Sequence, residues 1–311
     1  MDKPSYINPK FDLRLEKPKN VNLVSYSQFS QFSKCPLSWK LSYIDKLKKK
    51  ESSIHTVFGD AMHAVIQKWA ITMYTESIKA SEALDLRSML LTEMKSGYAA
   101  AVALGGDNFS TKEELTEFYM DGAETLSWLK RRRTHYFSPK SEILVGVEIP
   151  LNIRIDGIMF TAYLDFVTQD KVSKKIKITD FKTSGKGWND WTKADETKTS
   201  QLILYKLFYA QQYNVPIDDI DVEYVILKRK TNPEAMYPEK RIQVFKPSQG
   251  KITYNRVQKN FDAFIKSCFL PDGSFNLLHD YQAKSGINER NCRFCEYKDQ
   301  HRHCSPDKRR E

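Results

Sequence analysis

The patterning of hydrophobic residues changes abruptly near residue 136, and this change constrains the fold more than any other feature of the sequence. Upstream of it, apolar residues recur at the spacing of amphipathic helices. Helices are predicted there at 27–49, 58–77, 83–102 and 111–133. Downstream, short runs rich in β-branched and aromatic residues are separated by turn signals, which is typical of strands. The predicted strands are 142–155, 157–170, 174–184, 219–229 and 241–247, with helices at 197–214 and 251–269.

Two of the predicted helices begin at a polar residue suited to cap the first turn. Ser27 is the candidate N-cap of the first helix, which is expected to continue through Cys35 and Pro36. Thr111 opens the run TKEE, in which Glu114 completes a capping box. The chain up to about residue 135 is therefore expected to be mainly helical.

The order of helices, strands, helix, strands and helix indicates the α/β class, bordering on α+β. It predicts a central mixed β-sheet flanked by helices. Four regions are expected along the chain. They are an extended N-terminal segment at 1–22, a helical portion at 23–136, a strand-rich core at 137–270 and a cysteine-rich tail at 271–311 that packs back on the first helix.

The charge of the chain favours a polyanionic partner. Its 311 residues carry a formal net charge of +10, and neutralising phosphates with Lys and Arg releases counterions. No run approaches the ~20 apolar residues that a membrane span needs, so no membrane partner is expected. The polar start of the sequence lacks the apolar stretch of a signal peptide. We therefore expect a cytoplasmic location, or the host cytoplasm if a virus encodes the protein.

The segment ITDFKTS contains Asp180 and Lys182, which lie at i and i+2 on a predicted strand and so point to one face. A carboxylate beside an ammonium group suits metal-assisted hydrolysis, although a surface ion pair is the simpler alternative. Fifteen residues upstream, Asp165 lies among apolar residues on a strand expected to form a hairpin with the Asp180 strand. Two carboxylates on adjacent strands make an oxygen-rich site for Mg²⁺ or Mn²⁺.

Three further side chains lie on predicted helices. His63 follows Gly59 by four residues in VFGDAMHAVIQKW, where a packed core histidine is the alternative to a metal ligand. Gln201 and Tyr205 are four residues apart, so they share one helix face and can act together, unless that helix is an ordinary amphipathic one.

The order of these motifs resembles the PD-(D/E)XK nuclease domain of the RecB family. That order is G-x-x-x-H, a strand Asp, D-x-K and then Q-x-x-x-Y, and the segment SYSQFSQFSKCPLSWKLSYI is similar to the opening helix of the family. The resemblance spans roughly 25–304 and implies a restriction-endonuclease-like core. It implies metal binding by His63, Asp165, Asp180 and the Phe181 carbonyl, with Glu148 as a further candidate. It also implies that Lys182 is catalytic. Gln201 and Tyr205 would contact the scissile strand. One departure is that Ala162 and Tyr163 stand where the family often has a glycine before the strand Asp.

The cysteines form the second constellation. The chain has five, and three of them, Cys292, Cys295 and Cys304, fall within thirteen residues near the C-terminus. An odd number in a chain of this kind argues against a disulfide framework, and C-x-x-C spacing indicates metal binding. A zinc site is one interpretation of these residues.

The resemblance implies a different metal centre, a [4Fe–4S] cluster bound by Cys35, Cys292, Cys295 and Cys304. Similar clusters occur in AddB-type and CRISPR-adaptation exonucleases. The related proteins usually have a shorter final spacing, and here that place holds His301, so His301 is the alternative fourth ligand. Cys268, at the end of a predicted helix, is interpreted as a structural residue.

The resemblance implies an Mg²⁺- or Mn²⁺-dependent DNA nuclease, and an exonuclease that acts in recombination, repair or replication is the expectation. Its substrate is expected to be DNA that is single-stranded or has free ends. Trp188 and Trp191 are candidates to stack on bases, or else core residues. Because the sequence has no Walker A motif, a helicase or recombination partner is expected to be a separate chain. The alternatives are an inactive DNA-binding or recombination accessory protein, a zinc-stabilised structure-specific endonuclease, and an RNA-directed or CRISPR-type nuclease.

Overall fold

The fold was analysed in a computed structural model, which describes residues 3–11, 13, 18–19, 21–48, 52–104, 109–232, 234, 236–237 and 239–310. The helices are α1 Tyr26–Lys34, α2 Pro36–Tyr43, α3 Ile54–Thr75, α4 Ile78–Ala83, α5 Leu86–Ala103, α6 Lys112–Arg131, α7 Asp190–Ala194, α8 Glu196–Tyr213 and α9 Lys251–Cys268. The strands are β1 Tyr6–Ile7, β2 Asn22–Val24, β3 Glu142–Val147, β4 Ile149–Ile155, β5 Ile158–Leu164, β6 Phe166–Asp170, β7 Ile176–Ser184, β8 Ile220–Lys228, β9 Ile242–Phe245, β10 Ala283–Lys284 and β11 Arg309–Arg310.

The predicted first helix is in fact two helices, and this prediction was wrong. The first of them has Ser25 as its N-cap, two residues before the expected Ser27, and ends at Lys34. Cys35 has an extended backbone, with φ −156° and ψ 104°, and α2 starts at Pro36. A residue that precedes proline is disfavoured in the helical region, so the chain turns at Cys35. The break directs the Cys35 side chain toward the tail, where its sulphur accepts a hydrogen bond from the Lys284 N–H.

The predicted N-cap of α6, Thr111, is confirmed, whereas the Glu114 side chain contacts Ser110 rather than completing the capping box. Thr111 accepts a hydrogen bond from the Glu114 N–H, at 3.1 Å. The Glu114 carboxylate is engaged by the Ser110 hydroxyl. The cap therefore ties the loop before α6 to its first turn.

A six-stranded mixed sheet forms the centre of the molecule, in the order β1-β3-β6-β7-β8-β9. Only β7 and β8 pair in parallel, and the other neighbours are antiparallel. The N-terminal segment supplies edge strand β1, which passes so close to Gly146 that a Cβ there would lie 2.6 Å from the Tyr6 carbonyl oxygen. Helices cover both faces of the sheet, which confirms the expected α/β architecture.

The strands predicted between 142 and 184 are divided between two sheets. The predicted strands 142–155 and 157–170 each break once, at Glu148 and at Asp165. Ile149 pairs with Leu164 on one side of these breaks, and Gly146 pairs with Val167 on the other. Strands β4 and β5 thereby leave the central sheet and, with β2, form a three-stranded sheet. Glu148 makes the bend possible by adopting a left-handed backbone, with φ 53°, so both acids lie at one corner.

Two hydrophobic layers enclose the central sheet. One face packs against α1, α2, α8 and α9, with Trp39, Phe261 and Phe264 fully buried. The other face packs against α3, α5 and α6, with Trp69 fully buried. Within the described residues, none of these helices has the length and apolar character needed to cross a bilayer. The corner that contains Glu148 and Asp165 faces α3, so the helical layer of α3, α5 and α6 positions these acids.

The tail lies against α1 and α2. The Leu37 N–H donates to the Gln282 carbonyl at 3.1 Å, and the Asn291 side chain donates to the Lys34 carbonyl at 2.8 Å. Ser42 and Tyr297 share a buried hydroxyl hydrogen bond of 3.0 Å. These contacts bring residues more than 240 positions apart to the break between α1 and α2.

Candidate active site

Asp165 lies at the bend between β5 and β6, directly beside strand β7. Its Oδ2 atom accepts a hydrogen bond of 2.8 Å from the Phe181 N–H. The same oxygen lies 3.5 Å from Nδ1 of His63, which comes from α3. In an antiparallel pair, the N–H and C=O of one residue point to the same edge of the strand. The Phe181 carbonyl is therefore directed to the edge that Asp165 occupies.

Asp180 and Lys182 project from the same face of β7, at i and i+2. Lys182 Nζ lies 2.8 Å from Asp180 Oδ2. The Asp180 side chain is only 5% exposed, whereas the Lys182 side chain is 32% exposed. A surface ion pair, the simpler interpretation of the sequence, would expose both partners. The structure instead places a buried carboxylate beneath a lysine that reaches toward solvent.

Burial shifts the pKa of Asp165, Asp180 and His63, and neighbouring charges shift the pKa of Lys182. Burial raises the pKa of Asp165 and of Asp180 to about 6, against the opposing charge of Lys182. It lowers the pKa of His63 to about 4, although the charge of Asp180 opposes this. The pKa of Lys182 is raised, because the charges of Asp180 and Asp165 outweigh the burial that would lower it. At neutral pH the site therefore holds two carboxylates, one ammonium group and a neutral imidazole.

Gln201 and Tyr205 lie on one face of α8 and contact each other. Gln201 Nε2 donates to the Tyr205 hydroxyl oxygen at 2.8 Å. Burial, and then the charge of Asp180, raises the pKa of Tyr205, which places the hydroxyl within the electrostatic reach of the carboxylates. The structure thus brings all the predicted catalytic side chains to the corner between the sheet, α3 and α8.

The donor atoms at this corner suit a hard divalent cation. The two carboxylates carry more negative charge than one ammonium group balances, and the neutral imidazole has a lone pair that can bind a metal. Among the residues that the structure describes, no three His, Cys, Asp or Glu side chains lie at the spacing that holds a metal ion. Lys182 and the Phe181 N–H occupy carboxylate oxygens that a cation would use. The residues therefore fit such an ion in chemistry and in net charge.

Comparison with known proteins agrees with this geometry. A family model of the PD-(D/E)XK nuclease superfamily matches residues 23–300. The chain belongs to this superfamily. The match covers the bend that carries Asp165, the strand that carries Asp180 and the helix that carries His63, so the corner site lies within the nuclease domain.

A viral protein is similar to this nuclease over most of its length. The Gene 69 protein of Mycobacterium phage D29 is 25% identical over 259 residues, which are 78% of this chain and 88% of the phage protein. The alignment therefore spans most of both proteins rather than one short motif.

Gln67 is a site residue that the sequence reasoning missed. Fully buried on α3, it donates from Nε2 to Glu148 Oε1 at 2.6 Å and to the Asp165 carbonyl at 3.4 Å. It thereby holds both bends of the nuclease corner. Its position four residues after His63 was a usable signal, because residues so spaced share a helix face. Glu148 itself, the further metal candidate, lies at the corner and is bound by Gln67.

The two tryptophans after β7 have different environments. Trp188 is half-buried, and its ring centroid lies 4.8 Å from that of Tyr224. Its backbone N–H donates to Gln243. Trp191 is 78% exposed on α7. Of the two, Trp188 joins the core while also lining an open groove beside Lys182.

Four of the five cysteines surround one pocket at the tail. The pocket is lined by Cys35, Cys292, Cys295 and Cys304, all of which carry free thiols. Burial raises the pKa of Cys292 and of Cys295, and the neighbouring thiols raise both further. Neither His301 nor His303 is among the described residues that line this pocket. Cys268 is buried in the main core instead, as expected of a structural residue.

Proposed function

We propose that this protein is a metal-dependent DNA exonuclease. The proposal is carried by one observation, the pair of buried carboxylates with Lys182 at the corner of the sheet. Two ionised acids outnumber the one ammonium group beside them, so a metal ion would balance the remaining negative charge, and the superfamily to which the chain belongs consists of nucleases. The exonuclease mode rests on the resemblance of the motif set to RecB-type nucleases.

Each side chain has a distinct role in the proposed hydrolysis. Asp165, Asp180, the Phe181 carbonyl and the neutral His63 would hold Mg²⁺ or Mn²⁺, with Glu148 nearby. When bound, the ion would supply positive charge that polarises the phosphate and activates water for attack. Lys182, half-exposed above Asp180, orients the attacking water and stabilises negative charge on the phosphate. Gln201 and Tyr205 contact the scissile strand, and the hydrogen bond between them fixes their relative position.

We further propose that the four cysteines of the tail pocket bind a [4Fe–4S] cluster. Thiolates are the ligands that such clusters take from proteins. The four thiols line one pocket, so all four could bind the same centre, and soft thiolate ligands suit an iron–sulphur cluster. The Lys284 N–H, which donates to the Cys35 sulphur at 3.4 Å, is suited to stabilise a bound thiolate. The lining supports Cys304, rather than His301, as the fourth ligand.

The proposed substrate is DNA that is single-stranded or has free ends, in recombination, repair or replication. The net charge of +10 supports a polyanionic substrate. A separate helicase or recombination protein is the proposed partner. The phage origin of the similar protein supports the host cytoplasm as the place of action.

Circular and linear DNA distinguish the proposed mode from its alternatives. We expect single-stranded linear DNA to be degraded in Mn²⁺ to short products, while a closed circle of the same sequence survives. Cutting of the circle at an equal rate would show an endonuclease. Binding of both forms with no cleavage in either metal would favour the inactive accessory protein.

A further inference from the structure

An open groove leads away from the candidate active site along helix α1. Lys182 and Gln201 line its inner end, and Lys34 lines the other. Lys34 directly precedes Cys35, the proposed cluster ligand that lies before α2. The groove therefore extends from the catalytic corner to the residue that precedes a cysteine of the tail pocket.

The walls of this groove are held in place by hydrogen bonds between helices. The Thr197 carbonyl, in the first turn of α8, accepts from the Tyr26 hydroxyl and from the Ser30 hydroxyl, each at 2.9 Å. Both donors lie on α1. Asp195 caps α8 by accepting from the Thr197 N–H at 3.0 Å. A groove fixed in this way exists before any ligand enters it.

The cysteine-rich tail continues the groove at its outer end. Arg290 Nη2 lies 3.6 Å from Asp195 Oδ2, the carboxylate that caps α8. The Asn291 side chain donates to the Lys34 carbonyl at 2.8 Å. The C-x-x-C loop begins at the next residue, Cys292, so the loop starts where the groove ends.

Two residues between the paired cysteines carry the chemistry of a nucleic-acid contact. Phe294 is 91% exposed, and the Arg293 guanidinium lies 5.3 Å from its ring centroid. A large aromatic side chain exposed to this degree loses the stabilisation that burial would give it. An exposed ring beside a cation is the arrangement on which unpaired bases stack. Lys34 and Lys198, both exposed along the groove, supply charge for the phosphates.

We propose that a single strand of DNA lies in this groove, from the catalytic corner to the C-x-x-C loop, with one base stacked on Phe294. Lys34 and Lys198 neutralise backbone phosphates along its path. Stacking requires an unpaired base, so the loop selects single-stranded over duplex DNA. This inference rests on the proposed nuclease function and gives the cysteine tail a part in substrate binding beyond its part in folding.

The test is the affinity of wild-type protein and the Phe294→Ala variant for single-stranded oligonucleotides of graded length, in Ca²⁺ to limit turnover. Short oligonucleotides, which reach only the catalytic corner, should bind both proteins equally. Long ones should bind the variant about 5- to 150-fold more weakly, since base stacking contributes about 1–3 kcal/mol per base. Blunt duplex should not distinguish the two proteins.

Two further variants separate stacking from damage to the tail. Phe294→Tyr keeps a ring and should retain wild-type affinity. Val172→Ala, at a residue 90% exposed on the turn after β6, removes an apolar side chain at the far end of the strands and should change nothing. Wild-type affinity of Phe294→Ala for long strands, or a loss of equal size at every length, would overturn the groove proposal. If wild-type protein cleaves DNA in that case, the proposed nuclease function still stands.

Discussion

Gln67 Nε2 lies 2.6 Å from Glu148 Oε1, and this hydrogen bond joins helix α3 to the bend at which the chain leaves the central sheet. Glu148 has a left-handed backbone, with φ 53°, which is unfavourable for a residue with a side chain. Such a conformation persists where the surroundings enforce it. Gln67 binds the side chain of this residue, and it also contacts the Asp165 carbonyl at the other bend.

The first prediction follows from this contact. Gln67→Met keeps the volume of the buried side chain but removes its donor, so Glu148 and Asp165 lose their support. Loss of a residue that orients metal ligands costs about 10- to 100-fold in metal affinity or activity. We expect a loss of this size in the Mn²⁺ affinity of Gln67→Met, measured by calorimetry, with a small effect on thermal unfolding. Wild-type affinity would show that Gln67 only fills space.

The second prediction concerns pH. The pKa of Asp165 and of Asp180 is raised to about 6 in the protein without metal, and a cation binds the ionised form. Below about pH 6 protons therefore compete with the metal, and above it the competition disappears. We expect the Mn²⁺ dissociation constant to rise as pH falls from 7.5 to 5.5, with proton release on binding near pH 6. An affinity that does not change over this range would contradict the protonation assigned to these carboxyls.

The third prediction concerns iron. Protein purified without oxygen should be brown and carry about four irons per chain if the cysteine pocket holds a [4Fe–4S] cluster. Cys35→Ala should lose the iron, whereas Cys268→Ala, in the main core, should retain it. His301→Ala should also retain it. A colourless protein with one zinc per chain would replace the cluster by the zinc alternative and leave the nuclease site unaffected.

The fourth prediction concerns stability. Cys35 and Cys292 are 257 positions apart, so a shared cluster closes a very long loop. Cross-links over loops of this length stabilise the folded state by roughly 4–5 kcal/mol, by analogy with disulfides. We expect the free energy of unfolding of Cys35→Ala to fall by about this amount relative to the cluster-bound wild type. Removing iron from wild-type protein should produce a similar fall, and stability independent of iron would exclude the cross-link.

The sequence predicted elements that depend on local patterning and missed those that depend on the path of the chain. Helices α8 and α9 and strands β7 and β8 were found because their apolar residues repeat at a regular period. The two bends were missed because runs of β-branched residues look the same in one sheet as in two. The left-handed backbone occurs at Glu148 and not at a glycine, so the sequence carried no signal for it.

The candidate site shows the same division. Asp180 and Lys182 could be placed on one face from their spacing, because a strand repeats every two residues. Pro36 was a signal for the break at Cys35, but the helical pattern on both sides of it favoured one continuous helix. The spacing of Gln67 from His63 placed both on one helix face, but the partner of Gln67 could not be predicted, since it lies at a bend 81 positions away.

The most direct test of the central claim is digestion of end-labelled DNA by wild-type protein, Asp180→Ala and Lys182→Ala. We expect wild type to release the label in Mg²⁺ or Mn²⁺ and to stop in excess chelator. Both variants should lose at least about 100-fold in rate, which is the scale of a positioned catalytic group, and should still bind DNA. Full activity in both variants, or undiminished turnover in chelator, would contradict the assignment of this corner as the active site.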